Sequence, residues 1–394
     1  MTGKAQQEVA LKWVLNLRSG TSCENRVDEG PIPVMGAAGR IGWTVRPNTT
    51  AGSVIIGRVG TVGAVNLAQS ECWASDNTIV ATPGPSLHPL YMYYLLLSAR
   101  LPELASKTAQ PLLTATAIGN HHSRLPDLAE QRRIADFLDS ETSRIDQLTY
   151  LYGRRSKLTI ERSQKVLDEA IGQCKEFVPL RYIVRFREGP GIMAADFHPD
   201  GVPLIRIAGL KRGEVTLSGC NFLDPGKVAR QWSHFRLRMG DRLISGSATM
   251  GGVSMVRDPA VVGAVPYTGL IILRPAQANI EMEYVEAFLR SSLFSRQIDL
   301  LKTGATMQHF GPTHLSQVTA PLPSLDQQRH TSATAREALD HAERFDDLTA
   351  RQVGLLHERR QALITAAVTG QFDVSTASGR NVTDNLPEPE GVTP

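Results

Sequence analysis

Cysteine is scarce in this chain: four stand in 394 residues, at 23, 72, 174 and 220. No two are spaced as Cys-x-x-Cys, so neither a zinc knuckle nor a disulfide framework is expected. No run of eighteen apolar residues occurs, so no membrane span is expected. Met1–Trp13 lacks a basic start followed by an apolar core, so no secretory leader is expected, and a reducing cytoplasm is the default. Catalytic signatures are missing too. Gly3-Lys4-Ala5 and Gly226-Lys227-Val228 lack the Ser or Thr of a phosphate loop. The glycine-rich Gly57–Gly63 has no lysine and reads as a turn between strands. None of the nine lysines follows Asp or Glu by two places, the spacing of many metal-dependent nucleases. Asp224-Pro-Gly226 and Asp258-Pro-Ala260 fail the Asn/Asp-Pro-Pro-aromatic pattern of amino-methyltransferases. His121-His122 and His309…His314 have no carboxylate or cysteine at ligand spacing and read as surface histidines. The expectation is a non-catalytic chain with no metal and no cofactor.

What is present is a repeat. Leu125-Pro-Asp-Leu-Ala-Glu-Gln-Arg132 realigns without a gap on Leu322-Pro-Ser-Leu-Asp-Gln-Gln-Arg329, an offset of 197. At the same offset Leu158 falls on Leu355, Glu161-Arg162 on Glu358-Arg359, Gln164 on Gln361 and Ala170 on Ala367. Apolar residues recur on one broad helical stripe in both copies, from Ile134 to Leu167 and from Leu339 to Ile364, with no proline inside. About 45 residues at roughly 1.5 Å each make a rod on the order of 65–70 Å. One small domain cannot cover such a rod, so the two copies are expected to pair as an antiparallel coiled coil. The stripe is wider than a strict heptad seam, so part of it is expected to face a further partner.

Two unlike segments precede the copies. In the first, Ile32–Val34, Val54–Ile56, Val62–Val65 and Thr78–Val80 read as strands, and Leu90–Leu101 as a buried helix. In the second, Leu180–Phe186, Pro203–Ile207 and Gly240–Ile244 follow the same order, with Met282–Leu293 as the equivalent helix. The fold class is therefore α+β: two mixed α/β modules in tandem, each followed by a long helix, with pseudo-twofold symmetry. The expected boundaries are module one at 1–124, helix one at 125–173, module two at 174–320, helix two at 321–374 and a disordered tail at 375–394.

Charge separates along the same boundaries. Residues 1–124 carry a net +3, 125–173 a net −1, 174–320 a net +5 and 321–394 a net −4. Basic modules suit a polyanion and acidic helices suit protein contacts. Arginine outnumbers lysine 33 to 9, which suits phosphate and guanine edges and equally suits a GC-rich genome.

This organisation resembles the specificity subunit of type I restriction-modification systems. Leu125–Asp139 is similar to the family's first conserved region, and Leu322–Arg329 to a degraded second copy. Ser75-Asp76-Asn77-Thr78 and Gly304–Gln308 also look like recurring family elements. The likeness runs over most of the chain to about Val374. It implies a cytoplasmic, non-catalytic subunit in which each module reads half of a split, asymmetric site in double-stranded DNA. The helices would set the gap and bind two methyltransferase subunits, with restriction/translocase subunits joining for cleavage. A gap of about one duplex turn, ~34–36 Å, fits between modules lying inward of the rod's ends.

Base and phosphate contacts are expected from Arg40, Trp43, Arg46 and Arg58 in the first module. In the second they are expected from Arg206, Lys211, Arg212, Lys227, Arg230, Gln231, Arg236 and Arg238. Partner contacts on the helices are expected from Glu130, Gln131, Arg132, Phe137, Gln327, Gln328, Arg329 and Phe345, although Glu130–Arg132 and Gln327–Arg329 read equally as capping and packing groups. Three alternatives stay open: a self-sufficient enzyme, a coiled-coil scaffold without DNA readout, and a recognition subunit for a fused methylase-nuclease.

Overall fold

A computed structural model describes residues 8–107, 109–211, 213–246, 252–302 and 310–374. The expectations for Arg212, Gly304–Gln308, His309 and the tail from Ser375 fall outside these residues. The chain divides into two compact units. One takes residues up to Tyr152 together with those from Ala350 onward; the other is continuous from Gly153 to Thr349.

Two helices dominate, Leu128–Gly172 and Leu325–Val368. Each start is capped by its own sequence. Asp127 accepts the Glu130 N–H at 2.9 Å. Ser324 and Gln327 form a reciprocal box, with the Gln327 side-chain carbonyl taking the Ser324 N–H at 3.2 Å. The helices pair antiparallel, and each unit shows one end of the pairing. In the first unit Ile134, Ala135 and Leu138 share a core with Leu363, Ile364, Ala367 and Val368. In the second, Leu167 and Ile171 share a core with Ala335, and Leu339 packs against it. Polar contacts add to both: Arg360 reaches Asp146 at 3.7 Å, and the Ser156 hydroxyl donates to Asp346 at 2.5 Å.

The first module has one small antiparallel pair, Glu8–Ala10 with His122–Arg124, and two larger sheets. One orders the strands Leu15–Ser19, Thr78–Pro83, Val54–Gly57 and Val65–Leu67, all antiparallel. The other places Ile32–Gly36 between Gly39–Thr44 and Trp73–Ala74, the last pair parallel. The Pro89–Ser98 helix is apolar nearly all round and buries Tyr91, Met92, Tyr94, Leu95 and Leu96. Its neighbours are the first sheet on one side and the long-helix ends on the other. A fully buried leucine of this kind contributes roughly 1.5–3 kcal/mol.

The second module repeats the frame. Val184–Glu188, Leu270–Pro275, Arg242–Ser245 and Val253–Met255 lie in the same order, and the sheet continues to Glu214–Val215 and Leu210–Lys211. Val202–Ile205 pairs in parallel with Val265–Pro266, as Ile32–Gly36 does with Trp73–Ala74. Even the tight spots recur. A Cβ on Gly20 would stand 2.0 Å from the Ser75 carbonyl oxygen, and one on Gly189 would stand 2.2 Å from that of Pro266. Only glycine fits either approach. The offset between modules is 169 at these glycines and 197 at the long helices, so the second module is 28 residues longer. Most of the extra length lies between Gly189 and Ile244.

Some expected elements shift. The Val62–Val65 strand forms at Val65–Leu67 instead, because Gly57 to Ala64 makes a turn in which the Gly63 N–H bonds the Gly57 carbonyl at 2.8 Å. Gly63 there has φ +77°. Two strands outside the expected set, Glu8–Ala10 and Leu15–Ser19, precede Ile32–Gly36 and are joined by a 3₁₀ turn. Met282–Leu293 is broken at Ser291, with one helix at Met282–Arg290 and another at Ser292–Lys302.

Candidate nucleic-acid interface

The strand Gly39–Thr44 carries one exposed cation of the first module, and a second crosses it. Arg40 lies over the Trp43 ring at 4.6 Å. The stem of Arg26 crosses the same strand at Gly42, where a Cβ would come within 2.8 Å of it. Arg46 is exposed just beyond the strand. Arg58 is half-buried, its backbone fixed by Asn77 and Leu113 at 3.0 Å each. The side chains of Arg26, Arg40, Arg46 and Arg58 have no hydrogen-bond or ion-pair partner among the described residues. Holding arginines without a carboxylate beside them leaves their charge available to phosphate, and a guanidinium stacked on an indole is pre-oriented. Sequence reasoning missed Arg26; the small Gly42 across from it was the available signal. Arg18, by contrast, is tied down by the Asn48 carbonyl at 2.6 Å and the Thr49 hydroxyl at 2.9 Å, so it is structural.

The second module's candidates fall into two groups. Arg230, Gln231 and Arg238 are exposed, and Arg236 is half-buried. Among the described residues none of the four side chains has a partner. The others are already engaged. Lys227 forms an ion pair with Asp196 and lies over the Trp232 ring at 5.2 Å. The Lys227 ammonium, first through its hydrogen bond, holds the Asp196 carboxyl below the usual carboxylate range. Lys211 donates to the Ser218 hydroxyl at 2.7 Å. Arg206 donates to Asn221 at 3.0 Å and stacks over Tyr267 at 4.9 Å. Arg206 lines a cavity of about 630 Å³ with Glu188, Tyr267 and Phe310, where Glu188 accepts the Gly269 N–H at 3.0 Å. Arg242 and Arg274, deeper in the module, serve the fold: Arg242 meets Glu283 at 2.5 Å and Arg274 grips Asp241 at 2.6 and 2.7 Å.

The expected partner residues on the helices are mostly occupied within the chain. Gln131 and Gln328 are 1% and 2% exposed, so neither amide is accessible to a partner. The reason is non-local: each bonds the backbone ahead of its module's helix. Gln327 caps its own helix. Arg329 pairs with Glu281 at 3.4 Å, and Glu130 pairs with Arg133. Phe137 packs beside Phe372, ring centres 5.5 Å apart, and Phe345 lies under Arg155 at 4.9 Å. Arg132 is exposed and unpaired among the described residues. The helices instead expose leucines. In the first unit Leu148, Leu151 and Leu355 are 45%, 55% and 57% exposed; in the second, Leu158 and Leu348 are 54% and 58%. These are the part of the wide stripe that intrachain pairing leaves uncovered.

Comparison with known proteins gives consistent likenesses. Residues 14–150 match the family described as the type I restriction modification DNA specificity domain. Over 351 residues the chain is 19% identical to the type I restriction enzyme MjaVIII specificity subunit of Methanocaldococcus jannaschii, covering 83% of this chain and 77% of that one. A chain solved in work on complex assembly and conformational transition of the type I R-M system has a TM-score of 0.71 at 18% identity, over 93% of this chain and 98% of its own. The HsdS subunit from Thermoanaerobacter tengcongensis has a TM-score of 0.51 at 19% identity, over 93% and 97%. No helix among the described residues is long and apolar enough to cross a membrane.

Proposed function

Because this chain belongs to the type I restriction-modification specificity-subunit family, and so to proteins of sequence-specific DNA recognition, we propose that it reads a bipartite, asymmetric duplex site, one half per module. The observation that carries this is duplication with divergence. One strand frame and one helix seat occur twice, while the cations without an internal partner differ: Arg26, Arg40, Arg46 and Arg58 in one module, Arg230, Arg236 and Arg238 in the other, among the described residues. Equal scaffolds with unlike contact sets suit two different half-sites. Phosphate contacts fix register and base-edge contacts select sequence, and both need cations without internal partners. The long helices set the distance between half-sites. Their exposed leucines receive two methyltransferase subunits, and restriction/translocase subunits join that complex for cleavage. Methylation and cleavage chemistry belong to those partners.

Single-molecule methylome sequencing of a host carrying this chain with its methyltransferase tests the reading. The expected result is one two-part motif with unlike halves and a single gap length. A continuous or palindromic motif would overturn it. So would methyl transfer to DNA by the purified chain alone with labelled methyl donor.

A further inference from the structure

Each module's short helix is held at both ends by glutamines of the long helices. In the first unit the Gln131 side-chain carbonyl accepts the His88 N–H at 2.8 Å, and its amide donates to the Ser86 and Pro126 carbonyls at 3.0 and 2.9 Å. At the other end of the Pro89–Ser98 helix, Gln361 donates to the Leu97 carbonyl at 3.4 Å. In the second unit Gln328 accepts the Glu281 N–H at 2.9 Å and donates to the Asn279 and Pro323 carbonyls at 3.4 and 3.0 Å. There Gln164 donates to the Arg290 carbonyl at 3.2 Å.

The correspondence is complete in register. Gln131 with Gln328 and Gln164 with Gln361 share the 197-residue offset. The three backbone positions they hold, Ser86/Asn279, His88/Glu281 and Leu97/Arg290, share an offset of 193. At those positions the side chains are unlike in each pair. What recurs is a backbone group and the glutamine that grips it. Glutamine suits the role because a neutral amide offers two donors and an acceptor together, and Gln131 uses all three. A glutamate would lose the donors and bring a charge into a buried place. Each long helix thus carries one gripping glutamine for each module, 33 residues apart in sequence.

Resting on the reading that the helices set the gap, we propose that Gln131, Gln164, Gln328 and Gln361 are positioning residues. They index each module on the helices and so determine which gap length is accepted, while the bases read are chosen by the module surfaces. A coiled coil alone fixes the separation of two points along its length. It does not fix the tilt of a domain seated on it, and a grip at both ends of one short helix does.

The test is the same methylome measurement on variants. Gln361 is exposed and Gln164 half-buried, so Gln361→Ala and Gln164→Ala leave folding intact; Gln131→Met and Gln328→Met keep the packing volume at the buried pair. The expected result is unchanged half-site bases, with methylation at sites one base pair longer or shorter in gap rising about tenfold, as loss of one hydrogen-bond-strength constraint allows. Variants that melt like the parent and keep its single gap length would overturn the proposal. Equal loss of methylation at every gap length, with DNA binding retained, would overturn it as well. A parent chain with no bipartite motif would instead remove the functional reading beneath it, so the two failures are distinguishable.

Discussion

Leu138→Ala is the sharpest probe of how the first module is fastened to the helices. Leu138 is 0% exposed and shares a core with Tyr94, Leu95, Leu363 and Ile364. The residue 197 positions later is Ala335, itself 1% exposed, so the second unit closes the equivalent place with a smaller side chain. Truncating a fully buried leucine removes its transfer energy and leaves a cavity, together about 3 kcal/mol within a usual range of 2–5. For a unit of this size each kcal/mol moves the melting temperature by about 2–4 °C, so a drop of about 6–12 °C is expected. The loss should be local. Trp13, Trp43 and Trp73 lie in the first unit and Trp232 in the second. Tryptophan fluorescence melts of the Leu138→Ala chain carrying Trp232→Phe follow the first unit; a chain keeping only Trp232 follows the second. A shift under about 2 °C in the first unit would refute the burial argument. An equal shift in both units would refute local fastening. The converse change, Ala335→Leu, is expected to destabilise the second unit by about 1–3 kcal/mol through overpacking.

The remaining expectations concern binding. Replacing Arg40, Arg46 and Arg58 by alanine should reduce the slope of log affinity for duplex DNA against log salt by about 0.9 for each phosphate no longer neutralised, about 2.7 for all three; an unchanged slope would remove them from the interface. Arg230→Ala should weaken duplex binding at moderate salt, whereas Lys227→Ala should change it little, because Asp196 already neutralises Lys227; comparison of the two binding isotherms decides. Leu151→Glu with Leu355→Glu should abolish co-purification of the methyltransferase and leave DNA binding by the isolated chain unaltered. Both leucines are more than half exposed, so stability should stay within about 0.5 kcal/mol of the parent. The Asp196 carboxyl, held low by Lys227, supports the fold above its unfolded pKa and loses that support as pH falls through its lower folded value. NMR titration should show the Asp196 value rising in Lys227→Ala.

The repeat, the long helices and the order of strands were legible because they rest on local signals: a 197-residue self-match, a proline-free apolar stripe, short runs between glycines. The roles of single polar residues were not. Gln131 sits one turn into an amphipathic helix beside two arginines, where a glutamine ordinarily faces water. Its burial depends on backbone groups 43 and 45 residues away. Lys227 reads as a free cation until Asp196, 31 residues earlier, folds beside it. Arg206 is likewise claimed by Asn221, 15 residues on. The leucines of the stripe carry the opposite lesson. Periodicity reveals which face is apolar and not what covers it, so Leu151 and Leu355 look like Leu138 and Leu363 until the pairing is known.

The division of the chain into one continuous and one interrupted unit bears on its synthesis. Everything from Gly153 to Thr349 can close once it has left the ribosome. The first module, made before that unit, lacks Leu363, Ile364 and Gln361 until about 210 residues after Tyr152 have been added. At roughly 5–20 residues per second that is a wait of about 10–40 s with Leu138, Tyr94 and Leu95 incompletely covered. The unit begun before the other is thus completed after it, and in that interval its unfinished core exposes apolar surface that a chaperone can cover.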